Sequence, residues 1–279
     1  GRAVGVRTEE QRGVQHDVRA KTVLSSADLK RTLLELLPRK HLPHKWRKRT
    51  ESYQMAGALF MTFLGVKGDL REDGMRATNY WQFDGYDFEA AYQNGRLSDT
   101  PETAGCYITS ASIKDPKTPG HAPEGMTNLE VMSLVEGDPR KWGVEPDRID
   151  TWRYKKNERY LAIKQRVEDD MVSRFLKLFP AAKDRICFRE SATPVSHTRY
   201  TRASAGTGYG IACTPDQFLE GRPDYKGPVD GMYLCGVSTR AGHGIVGAML
   251  GGHHAAKMIA RSLGASEHIP STTAISHSA

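Results

Sequence analysis

The sequence predicts an α/β protein, and three stretches predict it. Residues 231–264 join an apolar strand, "GMYLCG", to a glycine-rich turn and a long helix rich in small residues. Residues 3–38 place β-branched stretches ahead of a leucine-rich helix, and residues 54–179 place several strand-like segments before one amphipathic helix. Residues 265–279, rich in Ser, Thr and Ala, are expected to be a disordered tail.

The elements follow in order. Residues 3–7 and 17–25 carry β-branched residues on either side of a polar stretch containing Gly13, which predicts a β-hairpin and then a short buried strand ending at Leu24. In "SSADLKRTLLELLP", Ser25 or Ser26 can cap a helix with apolar positions at Leu29, Leu33, Leu34, Leu36 and Leu37, closed by Pro38. Residues 39–50, "RKHLPHKWRKRT", form a basic run whose plain interpretation is a solvated face. A sharper one is a surface meeting anionic lipid, with Trp46 at the interface. Residues 54–66, 104–113 and 127–135 are expected to be strands, the last alternating apolar and polar residues. "YLAIKQRVEDDMVSRFLKLFP" puts Leu161, Val167, Met171, Phe175 and Leu178 at helical spacing. "RICFRESATP" is a strand and turn, 191–229 a loop-rich section, and the final helix runs from about 245 to 262 with Gly264 as its C-terminal stop.

Composition narrows the class of function. The chain of 279 residues carries a formal net charge of +7, a mild bias toward anionic partners. It shows no nucleic-acid-reading signature, so nucleic acid is not an expected partner. Cys106, Cys187, Cys213 and Cys235 form no Cys-x-x-Cys pair, which suits reduced thiols in a cytoplasmic protein, peripheral to a membrane if the basic run docks there. His243, His253 and His254 lack a supporting carboxylate pair, and no metal is expected. The chain opens on Gly1 without an initiator Met and reads as the continuation of a longer polypeptide.

"GHGIVG", Gly242 to Gly247, fits the pattern G-x-G-x-x-G. A dinucleotide fingerprint needs the strand directly before the first glycine and a second strand after the helix. Here "VSTRA" intervenes, and no strand-like segment follows Gly264. The physical content survives the failed context: glycines allow close backbone approach, and a helix start offers free N–H groups and the positive end of the helix dipole. Close helix–sheet packing alone would also account for these glycines.

"LCGVSTRAGHGIVGAMLGGHHAAK" resembles the C-terminal flavin-binding segment of the phytoene desaturase-related family of FAD-dependent oxidoreductases, which includes carotenoid desaturases, carotene isomerases and retinol saturases. Three further segments resemble the family in its own order: "GRAVGVRTEEQRGVQHDVRAKTVLSSAD", "YITSASIKDPKTPGHAPEGMTNLEVMSLV" and "SATPVSHTRYTRASAGTGYG". Nothing resembles the family's opening βαβ unit, so the resemblance implies the C-terminal portion only. It implies that 1–38 and 230–264 belong to a discontinuous, Rossmann-like FAD-binding domain whose N-terminal βαβ is missing, with 39–229 as an α+β substrate domain built on a mixed or antiparallel sheet. The cofactor implied is FAD, with NAD(P), oxygen or a quinone open as electron partner. Carried over by position, Gly236, Val237 and Ser238 would line the pyrophosphate side, and Gly244, Ile245, Val246 and Gly247 the pyrimidine end of the flavin.

The resemblance implies hydride transfer on an apolar substrate, an isoprenoid or polyene. Phe60, Phe63, Leu64, Val131 and Leu134 are candidates for its wall, or plain core. His197, near Arg199, Tyr200 and Tyr209, is the one candidate acid or base, in a family that commonly acts without one. The competing expectation is a non-catalytic remnant or half-subunit that needs a partner chain to bind flavin; on either reading the fragment alone is expected to be inactive. A monoamine-oxidase-like enzyme is disfavoured, since Cys235 lies in the terminal strand and no cysteine stands out for covalent flavin attachment.

Overall fold

The structure, a computed structural model, describes residues 1–10, 13–90, 93 and 98–264; the expected tail at 265–279 lies outside them. The chain divides into two compact units. One is Gly1–Gln54 with the chain from Tyr209 onward, here unit 1; the other is Met55–Gly208, unit 2. The breaks thus fall near 54 and 208, where the sequence suggested 38 and 229. The residues in question pack inside unit 1: Tyr53 donates to the Gly221 carbonyl, and the Gln217 side chain bonds both backbone groups of Gln54.

Unit 1 opens with the expected hairpin, β1 (Gly5–Glu9) paired antiparallel with β2 (Gln15–Arg19). β3 (Val23–Ser25) follows, but Leu24 is exposed rather than buried. The leucine-rich segment does not form one helix. Asp28, not Ser25 or Ser26, accepts from the Arg31 N–H and caps the short α1 (Leu29–Arg31). A π turn at Thr32–Leu36 then closes with Leu37 N donating to the Thr32 carbonyl. The extended Leu37 before Pro38 ends it, since a residue preceding proline avoids helical geometry. Leu29 and Leu33 enter the core while Leu36 is exposed. The basic run continues into α2 (His44–Ser52), with Trp46 half-buried and Arg49 held by the Glu220 carbonyl.

Unit 2 is a five-stranded sheet with a helix on one face. Its strands are β4 (Ala58–Lys67), β5 (Tyr80–Phe83), β6 (Gly105–Thr109), β7 (Met126–Val135) and β8 (Ile186–Ala192). The order is β5-β6-β7-β4-β8, antiparallel throughout, and β4 pairs with β7 over its full length from Ala58↔Val135 to Lys67↔Met126. The segment expected as one strand over 104–113 stops at Thr109. Ser110 accepts from the Ile113 N–H and turns the chain into the short α3 (Ala111–Lys114). The amphipathic helix α4 (Glu158–Leu178) starts at Asn157, whose side chain accepts from the Tyr160 N–H. Its buried face is Tyr160, Ile163, Val167, Met171 and Phe175; Leu161 and Leu178 face solvent. The nominally loop-rich section after β8 contains α5 (Pro194–Thr201), started by a capping box of Thr193 and Ser196 with Pro194 at its first turn.

Period-2 alternation sorts the sheet's residues between two faces. Phe60, Leu64, Val66, Ile108, Leu129 and Val131 point into the core shared with α4. Of the five residues expected as wall or plain core, Phe60, Leu64 and Val131 are therefore core. Phe63 and Leu134 lie on the opposite face, with Leu59, Met61, Met132, Tyr107, Trp81, Phe83 and Phe188. Trp81 is 66% exposed and Leu134 59%.

Arg174 ties α4 to the edge of this sheet. It donates from two guanidinium nitrogens to both Asp84 oxygens at 2.7 Å and from Nε to Asp170 at 2.9 Å. The hydrogen bonds from Arg174 hold the Asp84 carboxyl below its usual range. A carboxyl lowered on folding stabilises the fold above its unfolded value of about 3.9, and that contribution is lost as pH falls through the lowered value. Wild type is therefore expected to be more stable to urea than Asp84→Asn at neutral pH, with the gap shrinking below about pH 4. A gap that stays constant into acid would contradict this.

Unit 1 closes with β9 (Met232–Leu234) and α6 (Gly244–Ser262). β9 pairs parallel with β3, Val23↔Met232 through Ser25↔Leu234. Leu263 caps α6, and Gly264 follows in the left-handed region at φ 68°. Among the described residues no helix is long and apolar enough to cross a membrane.

Candidate functional site

The candidate segment runs from the end of β9 into α6. The chain leaves β9 through Gly236, whose φ of 91° is left-handed and suits glycine. The Gly236 carbonyl accepts from both the N–H and the hydroxyl of Thr239, at 3.1 and 2.7 Å, and Gly242 N donates to the Thr239 carbonyl. These bonds fold "VSTRA" into a compact turn, so the intervening loop brings Gly236 back against the helix. A Cβ at Gly251 would stand 3.0 Å from Thr239 Oγ1 and 3.6 Å from Gly236 N, which is why that helix position is glycine.

The glycines of "GHGIVG" divide into two kinds. Gly242 and Gly244 have φ of 85° and 79°, and a Cβ on either would meet nothing within contact distance. Gly247 is buried, and its Cβ would stand 2.7 Å from the Gly242 carbonyl oxygen. The first two supply a bend with open space; the third lets the helix lie on that bend. Close packing thus accounts for Gly247 and Gly251 but not for the open positions.

α6 begins without a side-chain cap. His243 occupies the N-cap position, yet its side chain makes no hydrogen bond to the helix. It turns instead to Cys213, with Sγ 3.3 Å from Nδ1, and to the Tyr209 ring, edge-on at 5.3 Å. The first turn presents Gly244, Ile245 and Val246 to solvent, Ile245 at 81% exposure. Uncapped first-turn N–H groups and the helix dipole favour an electron-rich or anionic edge. Gly236 and Val237 are half-buried. Ser238 is buried, and its hydroxyl accepts from the Ile211 N–H, so its side chain is engaged in holding the 209–222 loop.

His197 lies in unit 2, on α5. It is half-buried, its Nε2 is buried without a hydrogen-bond partner, and burial pushes its pKa below the usual histidine value.

Two features had no sequence signal. Arg222, between Gly221 and Pro223, is buried and donates to the carbonyls of Gln217, Val237 and Ile211 at 3.1, 2.6 and 2.7 Å. Cys213, thirty residues before His243, meets it only through the fold. Among the described residues no group of His, Cys, Asp and Glu is placed to hold a metal ion.

No family model matches the chain. It is 25% identical over 272 residues to the chloroplastic prolycopene isomerase of Daucus carota, covering 97% of this chain and 39% of that protein. It is 25% identical over 260 residues to the all-trans-retinol 13,14-reductase of Danio rerio, covering 89% of this chain and 41% of that one. The chain thus spans about two-fifths of the length of these curated relatives. Among solved structures, cyclohexylamine oxidase from Brevibacterium oxydans IH-35A superposes with a TM-score of 0.52, at 13% identity over 94% of this chain and 46% of that one, a likeness of fold. Along nearly all of its length the chain is thus similar to an isomerase and a reductase, which supports its resemblance to the phytoene desaturase-related oxidoreductases.

Proposed function

We propose that these residues supply the flavin-facing part and the substrate-binding sheet of a phytoene desaturase-like FAD-dependent oxidoreductase, acting on an apolar, isoprenoid or polyene substrate. The observation that carries this is the helix start at Gly244: two left-handed glycines with open space beside an uncapped N-terminus. That donor set fits the pyrimidine edge of a flavin, which is electron-rich and gains negative charge on reduction. FAD, when bound, supplies the hydride chemistry. The chain's own residues then orient and polarise. The N–H groups of the first turn of α6 would hold the flavin's electron-rich edge, Ile245 and Val246 would offer apolar surface, and Gly236 and Val237 would admit the pyrophosphate. Ser238 and Gly247 act through the backbone they position. The open face of the unit 2 sheet, with Phe63, Met132, Leu134 and Trp81, supplies apolar contact area of the kind a polyene requires.

The adenosine-binding βαβ unit, in this reading, comes from polypeptide outside these residues. The two-stranded parallel sheet β3–β9 supports that, because parallel strands ordinarily lie within larger sheets covered on both faces. A second reading, a half-subunit that binds a partner chain and no flavin of its own, draws on the same exposure, with Leu24, Val246 and Met249 also open to solvent.

Two measurements separate the readings. The 279-residue chain purified alone is expected to be colourless. The complete gene product is expected to carry oxidised-flavin absorbance and to release about one FAD per chain on denaturation. A complete gene product devoid of flavin would rule out the first reading, and stoichiometric flavin on the chain alone would rule out the need for outside polypeptide.

A further inference from the structure

Cys213, Arg222 and His243 meet at a point in unit 1 that the flavin reading leaves unused. The Cys213 thiol is exposed, lies 3.3 Å from His243 Nδ1 and accepts from Arg222 Nη2 at 3.3 Å. Arg222 adds an independent observation. Its side chain is buried, at 1% exposure, and its other acceptors are the main-chain carbonyls of Gln217, Val237, Ile211 and Ala212. Among the described residues it forms no ion pair. A buried guanidinium among neutral dipoles is an unbalanced charge. Of the atoms it touches, only the Cys213 sulfur can carry a compensating negative charge.

We propose that Cys213 is a reactive thiol and a modification site for soft carbon electrophiles, with His243 as proton acceptor and Arg222 as the charge that stabilises sulfur. With an alkyl iodide the step balances as a displacement. The thiol proton passes to His243 Nδ1, the sulfur lone pair forms the S–C bond, and iodide leaves with the electrons of the C–I bond. A substituent there would stand beside the N-cap of α6, next to the segment proposed to face the flavin. The proposal does not depend on that segment's ligand.

The other cysteines differ in ways that make them controls. Cys187 is also exposed, but its Sγ donates to the Gly65 carbonyl at 3.4 Å and meets no imidazole or guanidinium among the contacts described. Cys106 is buried, and burial pushes its thiol up to about 11; burial also raises Cys235. The test uses the intact chain, limiting iodoacetamide at neutral pH, and peptide mass spectrometry to follow each cysteine. Cys213 is expected to react roughly 10-fold or more faster than Cys187. His243→Gln is expected to bring Cys213 down toward the Cys187 rate while leaving Cys187 unchanged. Alkylation of Cys213 no faster than Cys187 would overturn the proposal, as would an unchanged Cys213 rate in His243→Gln.

Discussion

Trp142→Ala is expected to destabilise unit 2 by about 3–5 kcal/mol, the range for removing a large aromatic side chain from a core. Trp142 is fully buried, and its ring lies parallel to Phe60 with centroids 5.7 Å apart. Its indole N–H donates to the Glu136 carbonyl at 2.8 Å. Three losses therefore coincide: buried apolar area, an aromatic contact, and the donor to a carbonyl where the chain leaves β7. The neighbours are strands held by ladder bonds and cannot collapse into the space, so the cavity persists. Trp142→Phe retains most of the packing and removes the donor, and is expected to lose about 1–2 kcal/mol. Urea unfolding followed by far-UV circular dichroism measures both. An alanine variant within about 1 kcal/mol of wild type would show that Trp142 does not organise this core.

Arg222→Met is expected to destabilise unit 1 by roughly 3 kcal/mol, about 1 kcal/mol for each of the three carbonyls it meets at 3.1 Å or less, the Ala212 carbonyl at 3.5 Å adding little. Those carbonyls belong to Gln217, Ile211 and Val237, so one side chain joins the 209–222 loop to the turn after β9. The effect should therefore extend beyond stability. On the proposed function, the same variant is also expected to lower flavin occupancy, because Val237 loses the donor that fixes its backbone. Arg222→Lys keeps a charge but not the planar fork, and is expected to recover only part of the loss. Chemical unfolding of the chain and flavin content of the complete protein are the two readouts. A fully stable, fully loaded Arg222→Met protein would mean the guanidinium is replaceable by water.

Elements governed by repeating local pattern were legible in the sequence. Alternation marked β7, and helical spacing marked α4, because burial on one face imposes a period that survives tertiary context. Boundaries set by single side chains were not. Ser110 stops a strand, Asp28 displaces the expected serine caps, and Thr193 with Ser196 starts a helix in a stretch that looked loop-like. In each case one local hydrogen bond decides the outcome, and such bonds leave no periodic trace.

Which apolar residues form core and which form open surface was decided by strand register. Phe60 and Phe63 are three residues apart on one strand, and the pleat sends them to opposite faces. In the candidate site, the glycine pattern by itself marked a close-approach turn before a helix. The three-dimensional arrangement separated Gly242 and Gly244, which leave space, from Gly247 and Gly251, which fill it with backbone.

By itself, the sequence determined the α/β class and the glycine-lined helix start at Gly244, and it carried the resemblance to flavin-dependent oxidoreductases. Only the tertiary structure decided the union of the chain's two ends in unit 1, the open face of the unit 2 sheet, and the meeting of Cys213 with Arg222 and His243. The physical reason is range. Local spacing records how each segment buries itself, whereas parallel pairing of β3 with β9 and a contact across thirty residues exist only once the folding of distant segments has offset the entropy of closing the loops between them.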